Sequence, residues 1–202
     1  MHLYFHPSSP YSQKVLVAMY EKDLTFEGQL VDLNDATART DYCKQINPLG
    51  KLPMLIRPDG WVVPESSIIV EYLDTYFASG PQLIPTDRDH ARQSRFYDRL
   101  GDLYLIDAAH ALTLAAGDPQ ALATIRSKAL IAVGLFEKEL RNREFLVAGR
   151  FTQGDISPTL GLSHLRQAGV DLAPFANITA YLERMWARPA WQQVRRDWLA
   201  AG

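Results

Sequence analysis

Two hydrophobic periods alternate along the first eighty residues of the chain. The runs His2–Phe5 and Leu24–Val31 have the spacing of strands, whereas Val15–Lys22 has apolar residues at helical spacing. A short, polar helix is predicted after the second strand, from Asp35 to Gln45. Strand, helix and strand in succession favour parallel pairing through a right-handed crossover.

The next stretch predicts a hairpin and then a third helix. A short apolar strand ends at Ile56, a Pro-Asp-Gly turn follows, and Trp61–Val63 returns as the antiparallel partner. The helix opens after Pro64, and its predicted apolar face comprises Ile68, Ile69, Tyr72, Leu73 and Tyr76. The resulting order, β-α-β-α-β-β-α, fits one mixed sheet with helices on both faces.

The rest of the chain has the pattern of helices throughout. The breaks around Gly80 and Pro85 predict a linker at residues 80–86, between a first domain of residues 1–79 and an all-helical domain of residues 87–202. Inside that second domain, Thr152 and Asp155 have the spacing of a capping box at the start of a helix.

Composition narrows the classes of function. The net charge of −2 provides no bulk attraction to nucleic acid or to an anionic membrane, so neither partner is expected. The single cysteine, Cys43, excludes an intrachain disulfide framework. No signal peptide and no apolar run of about 18 residues is found, so the predicted location is the cytoplasm. The histidines show no metal-ligand spacing, and no metal is predicted.

Three short segments carry candidate binding chemistry. Ser9 lies between the first strand and the first helix, where backbone N–H groups and the positive end of the helix dipole suit an anion. The same position suits a serine that only caps the helix. Leu52 and Pro53 break the chain before a strand, and Glu65 and Ser66 begin another helix, with Ser66 as a candidate cap. Each has a structural interpretation alone, but their order and spacing together favour a ligand site.

The first eighty residues resemble the thioredoxin-like domain of the cytosolic glutathione transferases. The resemblance is carried by Ser9–Val15, Asn47–Leu55 and Pro64–Leu73. The C-terminal helices resemble the family's helical domain, so the likeness extends over essentially the whole chain. The motifs are most similar to bacterial, serine-type members and to the zeta and tau classes, although zeta enzymes have Ser-Ser-Cys-Ser where this chain has Ser9–Ser12.

The resemblance implies how glutathione, as co-substrate, would be bound. Ser9 matches the serine that activates the thiol. Pro53 matches a cis proline that lets the backbone of Leu52 pair with the cysteinyl unit. Glu65 would face the ligand ammonium, and Ser66 would take the ligand carboxylate at a helix N-terminus. The other glutathione-binding residues implied are Tyr11 and Lys51.

The implied reaction is attack of the glutathione sulfur on a small hydrophobic electrophile. The expected electrophile pocket includes His6, Tyr11, Tyr104 and Ala108. Two rivals for the role of Ser9 remain open: Ser8, by a one-residue slip, and Tyr4, near the end of the first strand. The alternative functions are a glutathione-dependent isomerase and a non-catalytic protein that binds glutathione or a hydrophobic ligand. The resemblance also implies a homodimer, with the third and fourth helices at the contact.

Overall fold

A computed structural model describes residues 1–200, which form two compact units. The first unit comprises Met1–Pro81 together with a C-terminal segment that starts at Gln192, and the second comprises Gln82–Trp191. The domain boundaries predicted at residues 79 and 86 stay predictions beside this division.

The first unit has a four-stranded mixed sheet with three helices from the N-terminal part of the chain. Strand β1 is central: it pairs in parallel with β2 and antiparallel with β3, and β3 pairs antiparallel with β4. The elements follow the predicted order, which confirms the thioredoxin-like fold: β1 His2–Phe5, α1 Pro10–Glu21, β2 Glu27–Leu30, α2 Ala36–Gln45, β3 Met54–Ile56, β4 Val62–Val63 and α3 Ser66–Tyr76.

Helices α1 and α3 pack against each other through both apolar and charged side chains. Every residue of α1 from Ser12 to Met19 is buried, so the helix is buried on all sides and not only on the face that its helical spacing predicts. The C-terminal end of α1 is tied to α3 by a buried ion pair, in which Lys22 Nζ lies 3.0 Å from Asp74 Oδ1. Because both charges are shielded from water, loss of either partner would leave a buried charge uncompensated.

The predicted apolar face of α3 is only partly correct. Ile69 and Leu73 are fully buried, but Ile68 is 52% exposed and Tyr76 is 65% exposed. Val70, which the prediction left out, is fully buried. At about 100° per residue, Ile68 lies roughly 200° around the helix from Val70 and therefore faces away from the packed side. Tyr76 is the last residue of the helix.

The second unit is helical, with no strand among residues 82–191, which confirms the all-helical prediction. A π-helical segment, Gly101–Ile106, joins two α-helices without a break in the helical path. The elements are α4 Arg88–Leu100, the π-helical segment, α5 Asp107–Leu114, α6 Pro119–Glu139, α7 Gln153–Gln167, α8 Ala176–Trp186 and the start of α9 Pro189–Ala200. Within residues 1–200 no helix combines the length and hydropathy that crossing a bilayer requires.

Helix α7 is the core of the second unit, and two glycines let its neighbours approach closely. Every residue from Gln153 to Ser163 is buried. A Cβ added at Gly101 would lie 2.6 Å from the backbone nitrogen of Pro158, and one added at Gly161 would lie 2.4 Å from Leu105 Cβ. Both contacts are shorter than side chains tolerate, so glycine is required for this packing.

The predicted capping box at the start of α7 is confirmed. The Thr152 hydroxyl accepts a hydrogen bond from the N–H of Gly154 at 3.2 Å, and Asp155 Oδ2 accepts one from the N–H of Thr152 at 2.9 Å. Burial raises the pKa of Asp155 to about 6, although hydrogen bonds from Leu146, Thr152 and Tyr181 oppose this shift. Asp155 therefore stabilises the start of α7, which is a structural role.

Candidate functional site

Ser9 is the N-cap of α1, and its hydroxyl proton is uncommitted. Its Oγ accepts a hydrogen bond from the N–H of Ser12 at 3.4 Å, and Pro10 begins the helix as predicted. Among residues 1–200 no acceptor is found for the Ser9 O–H, and the residue is half-buried. Ser9 can therefore donate a hydrogen bond to an anion that binds at this helix N-terminus.

Ser8 makes a different set of hydrogen bonds. Its Oγ lies 2.6 Å from His6 Nδ1, and its backbone nitrogen lies 3.3 Å from the same ring atom. A backbone N–H can only donate, so Nδ1 acts as an acceptor, and the Ser8 hydroxyl donates to it as well. Since the proton of Ser8 is already committed, these bonds favour Ser9 over Ser8 as the donor to a ligand.

The link between β1 and α1 is held by polar groups that sequence reasoning did not single out. Gln13, which is buried on α1, donates from Nε2 to the carbonyl of Pro7 at 2.7 Å. The N–H of His6 donates to Ser12 Oγ at 3.3 Å, and the N–H of Ser9 donates to the carbonyl of His6 at 2.9 Å. The signal that would have found Gln13 is a polar residue at a helix position that faces the core.

Leu52 and Pro53 are joined by a cis peptide bond, as the resemblance implied. Both residues are buried, whereas the side chain of Lys51 is exposed. The carbonyl of Lys51 accepts hydrogen bonds from the Tyr42 hydroxyl at 2.7 Å and from Asn47 Nδ2 at 2.9 Å. The chain before β3 is thus anchored by two side chains, which fixes the position of the backbone that leads into Leu52.

Glu65, not Ser66, occupies the cap position of α3. Glu65 has a left-handed backbone conformation with φ of 65°, and its exposed side chain makes no capping hydrogen bond. Ser66 is the first helical residue and is 6% exposed. The prediction of Ser66 as the helix cap is wrong, because a cap must precede the first helical residue. The helix N-terminus is left without a side-chain cap and is available to a carboxylate.

A buried lysine joins the two helix N-termini. Lys14 on α1 is fully buried, and its Nζ donates to Ser67 Oγ at 2.7 Å. Ser67 lies in the first turn of α3, directly after Glu65 and Ser66. The helix that presents Ser9 and the helix that follows Glu65 are therefore positioned against one another inside the first unit.

The four residues expected to line an electrophile pocket lie on separate elements. His6 and Tyr11 belong to the first unit, on either side of the start of α1, and both are half-buried. Tyr104, which is exposed, lies in the π-helical segment, and Ala108 lies on α5 of the second unit. Their role toward an electrophile stays a prediction. Tyr4, the rival near the end of β1, has its ring 5.9 Å from that of Tyr42.

Known proteins are similar to this chain in sequence and in structure. The family model for the glutathione S-transferase N-terminal domain matches residues 8–75. Glutathione S-transferase hmp2 of Hypomyces subiculosus is 27% identical over 88% of this chain and 90% of its own length. A probable glutathione S-transferase, GSTU1, of Oryza sativa subsp. japonica is 34% identical over 70% of this chain and 62% of its own length.

A solved structure extends the likeness over both units. A glutathione S-transferase from Methylobacillus flagellatus KT, crystallised with glutathione bound, is 28% identical, covers 96% of this chain and 98% of its own, and superposes with a TM-score of 0.85. A thioredoxin-like unit with a cis proline before β3, followed by a helical unit, defines a protein of the glutathione-transferase class. The chain belongs to the cytosolic glutathione S-transferase family. Its closeness to the zeta and tau classes stays a prediction.

Within residues 1–200 no group of three or more histidine, cysteine, aspartate or glutamate side chains is arranged to hold a metal ion.

Proposed function

We propose that the protein activates the glutathione thiol for attack on a small hydrophobic electrophile, with Ser9 donating a hydrogen bond to the thiolate. The observation that carries this proposal is the uncommitted Ser9 hydroxyl at the N-terminus of α1. Family membership supports glutathione as the ligand, and the Methylobacillus flagellatus protein was crystallised with glutathione bound.

The γ-glutamyl end and the cysteinyl unit of glutathione are expected at two other parts of the first unit. The Glu65 carboxylate would face the ligand ammonium, and the uncapped start of α3 at Ser66 would receive the γ-glutamyl carboxylate. The backbone of Leu52 would pair with the cysteinyl unit, with Pro53 in the cis form. The side chains of Lys51 and Tyr11 would complete the site.

A hydrogen bond from Ser9 is strong enough to ionise the thiol. A thiol with a pKa of about 8.5 is only a few per cent ionised near neutral pH. Lowering that pKa by ~2 units requires about 2.7 kcal/mol of preference for the thiolate. A hydrogen bond to a charged group supplies about 1.5–3 kcal/mol, and a helix dipole adds about 0.3–1. The Ser9 hydroxyl can supply the hydrogen bond, and the N-terminus of α1 supplies the dipole.

Ionisation alone cannot provide most of the rate. The thiolate fraction would rise roughly 25-fold for a shift of ~2 units. Nucleophilicity falls with pKa, however, with a slope near 0.4–0.5 in thiol–disulfide exchange, which removes about 6- to 10-fold. Only a few-fold gain remains, so the larger share must come from holding the electrophile close to the sulfur.

The test replaces Ser9 and compares glutathione affinity with turnover on aryl halides, epoxides and maleyl acids. In Ser9→Ala we expect affinity within a few-fold of the parent and turnover at least tenfold lower. Loss of the cap lowers stability by about 0.5–2 kcal/mol, so Ser9→Gly is the matched variant, because glycine caps a helix within a few tenths of a kcal/mol of serine. Unchanged turnover in Ser9→Gly would refute the role of the hydroxyl.

Two further expectations accompany the proposal. We expect a cytoplasmic homodimer, as the resemblance implies, and sedimentation velocity tests the oligomeric state. A binding protein without catalysis would be retained on immobilised glutathione and yet turn over none of the three electrophile classes. A glutathione-dependent isomerase would convert the maleyl acid without consuming glutathione.

A further inference from the structure

We propose that Ser8 and His6 form a relay that accepts the proton of the glutathione thiol, a role separate from that of Ser9. The inference rests on the proposed function, since it needs glutathione bound at the start of α1. Donation of a hydrogen bond by Ser9 stabilises the thiolate but leaves the thiol proton without a destination. The relay supplies that destination.

The geometry just after β1 brings the Ser8 hydroxyl onto the His6 ring. The Ser8 hydroxyl and the His6 ring are in hydrogen-bond contact at 2.6 Å, and the Ser8 N–H points to the same ring nitrogen at 3.3 Å. Two donors on Nδ1 require it to be unprotonated, which places the ring proton of the neutral imidazole on Nε2. The ring is therefore held with its basic nitrogen against Ser8.

Backbone hydrogen bonds fix this arrangement of His6 and Ser8. The N–H of His6 donates to Ser12 Oγ, and the carbonyl of His6 accepts from the N–H of Ser9. The carbonyl of Pro7, between His6 and Ser8, accepts from Gln13 at 2.7 Å. A pair held in this way needs little reorganisation to transfer a proton, which is the condition for efficient acid–base catalysis.

The two adjacent serines offer opposite hydrogen-bonding groups to a ligand. Ser8 donates its proton to His6, so its oxygen can present only lone pairs to a ligand, and the residue is exposed. Ser9 accepts from Ser12 and keeps its own proton for a ligand. Their Cα atoms are about 3.8 Å apart, as in any trans peptide, and the proposal requires that one sulfur atom contacts both hydroxyls.

The proton transfer balances without any further reactant. The S–H bond of glutathione breaks and its proton binds to Ser8 Oγ, while the Ser8 O–H bond breaks and that proton binds to His6 Nδ1. The products are a thiolate, a neutral serine and an imidazolium. Once the thioether has formed, the imidazolium proton leaves to the solvent or to the anion generated on the electrophile. Ser8 touches the substrate and is catalytic, whereas His6 acts through it.

The experiment counts protons at the moment of binding. Glutathione is mixed with the protein near pH 7 in weak buffer with an indicator dye, and the ultraviolet absorbance of the bound thiolate is recorded in the same sample. In the parent protein we expect fewer than one proton released per thiolate formed, because part of the protons stay on the His6 ring. In His6→Asn, which keeps an acceptor for Ser8 but has no basic nitrogen, we expect that ratio to rise toward one.

Two controls separate the relay from its alternatives. Ser8→Ala should raise the ratio as His6→Asn does, whereas Ser8→Thr, which keeps the hydroxyl, should leave it low. S-methylglutathione has no thiol proton, and its affinity should stay within about twofold in each variant, which shows that the site is folded. An equal ratio in the parent and in His6→Asn overturns the relay. Absence of any thiolate absorbance in the parent overturns the proposed function instead.

Discussion

Glu65, whose carboxylate is proposed to bind glutathione, is expected to lower the stability of the folded protein. It is a non-glycine residue with φ of 65°, a conformation that costs an L-residue roughly 1–2 kcal/mol. Replacing it by glycine removes that strain. Glycine also raises the conformational entropy of the unfolded chain, which lowers the free energy of unfolding by about 0.4–1 kcal/mol. Relative to Glu65→Ala, which keeps the strain, Glu65→Gly should therefore be more stable by about 1 kcal/mol.

Equilibrium unfolding in urea measures this difference. With a dependence on urea of about 2 kcal/mol per molar, the midpoint of Glu65→Gly should lie roughly 0.5 M above that of Glu65→Ala. Both variants lose the carboxylate, so both should bind glutathione equally weakly. Gly60 offers a control of opposite sign: its φ is 83° and a Cβ added there would meet no atom within 4 Å, so Gly60→Ala should destabilise by strain alone. A midpoint for Glu65→Gly below that of Glu65→Ala would refute the reasoning.

Two more predictions concern the second unit. Gly161→Ala should destabilise by about 1–3 kcal/mol, because the new methyl group meets Leu105, whereas Gly134→Ala, in open space on α6, should stabilise by about 0.5–1 kcal/mol; equal urea midpoints would contradict this. The pKa of Asp155 is raised by burial to about 6, against about 3.9 unfolded. Between these two pKa values the native state holds a proton that the unfolded chain has lost. The free energy of unfolding contributed by this group therefore falls as the pH rises from about 4 to 6, by up to about 1.4 kcal/mol per pH unit. Asp155→Asn should flatten the dependence of unfolding free energy on pH in this range. A parent protein whose stability rises with pH there, while that of Asp155→Asn does not, would contradict the raised pKa.

Local patterns were sufficient for much of the molecule. The order of strands and helices in the first unit followed from periodicity and turn residues, because each element shows its own hydrophobic spacing. Ser9 at the start of α1 and the capping box at Thr152 and Asp155 followed from preferences that act within one helical turn. Family resemblance added the cis form of Pro53, which no local pattern gave.

Other features depended on groups far apart in the chain. The buried face of α3 includes Val70 and not Ile68, since it is set by what packs on the helix and not by apolar spacing alone. Lys14 is fully buried and donates to the hydroxyl of Ser67, which lies fifty-three positions further along the chain.

The sequence by itself determined which residues stand at the helix starts, and it favoured Ser9 while Ser8 stayed open as a rival. Only the tertiary structure distinguished them, by turning the Ser8 hydroxyl onto the His6 ring and leaving the Ser9 proton without an acceptor in the described part of the chain. The physical reason is that a hydroxyl donates a single proton, and the fold decides which neighbour receives it.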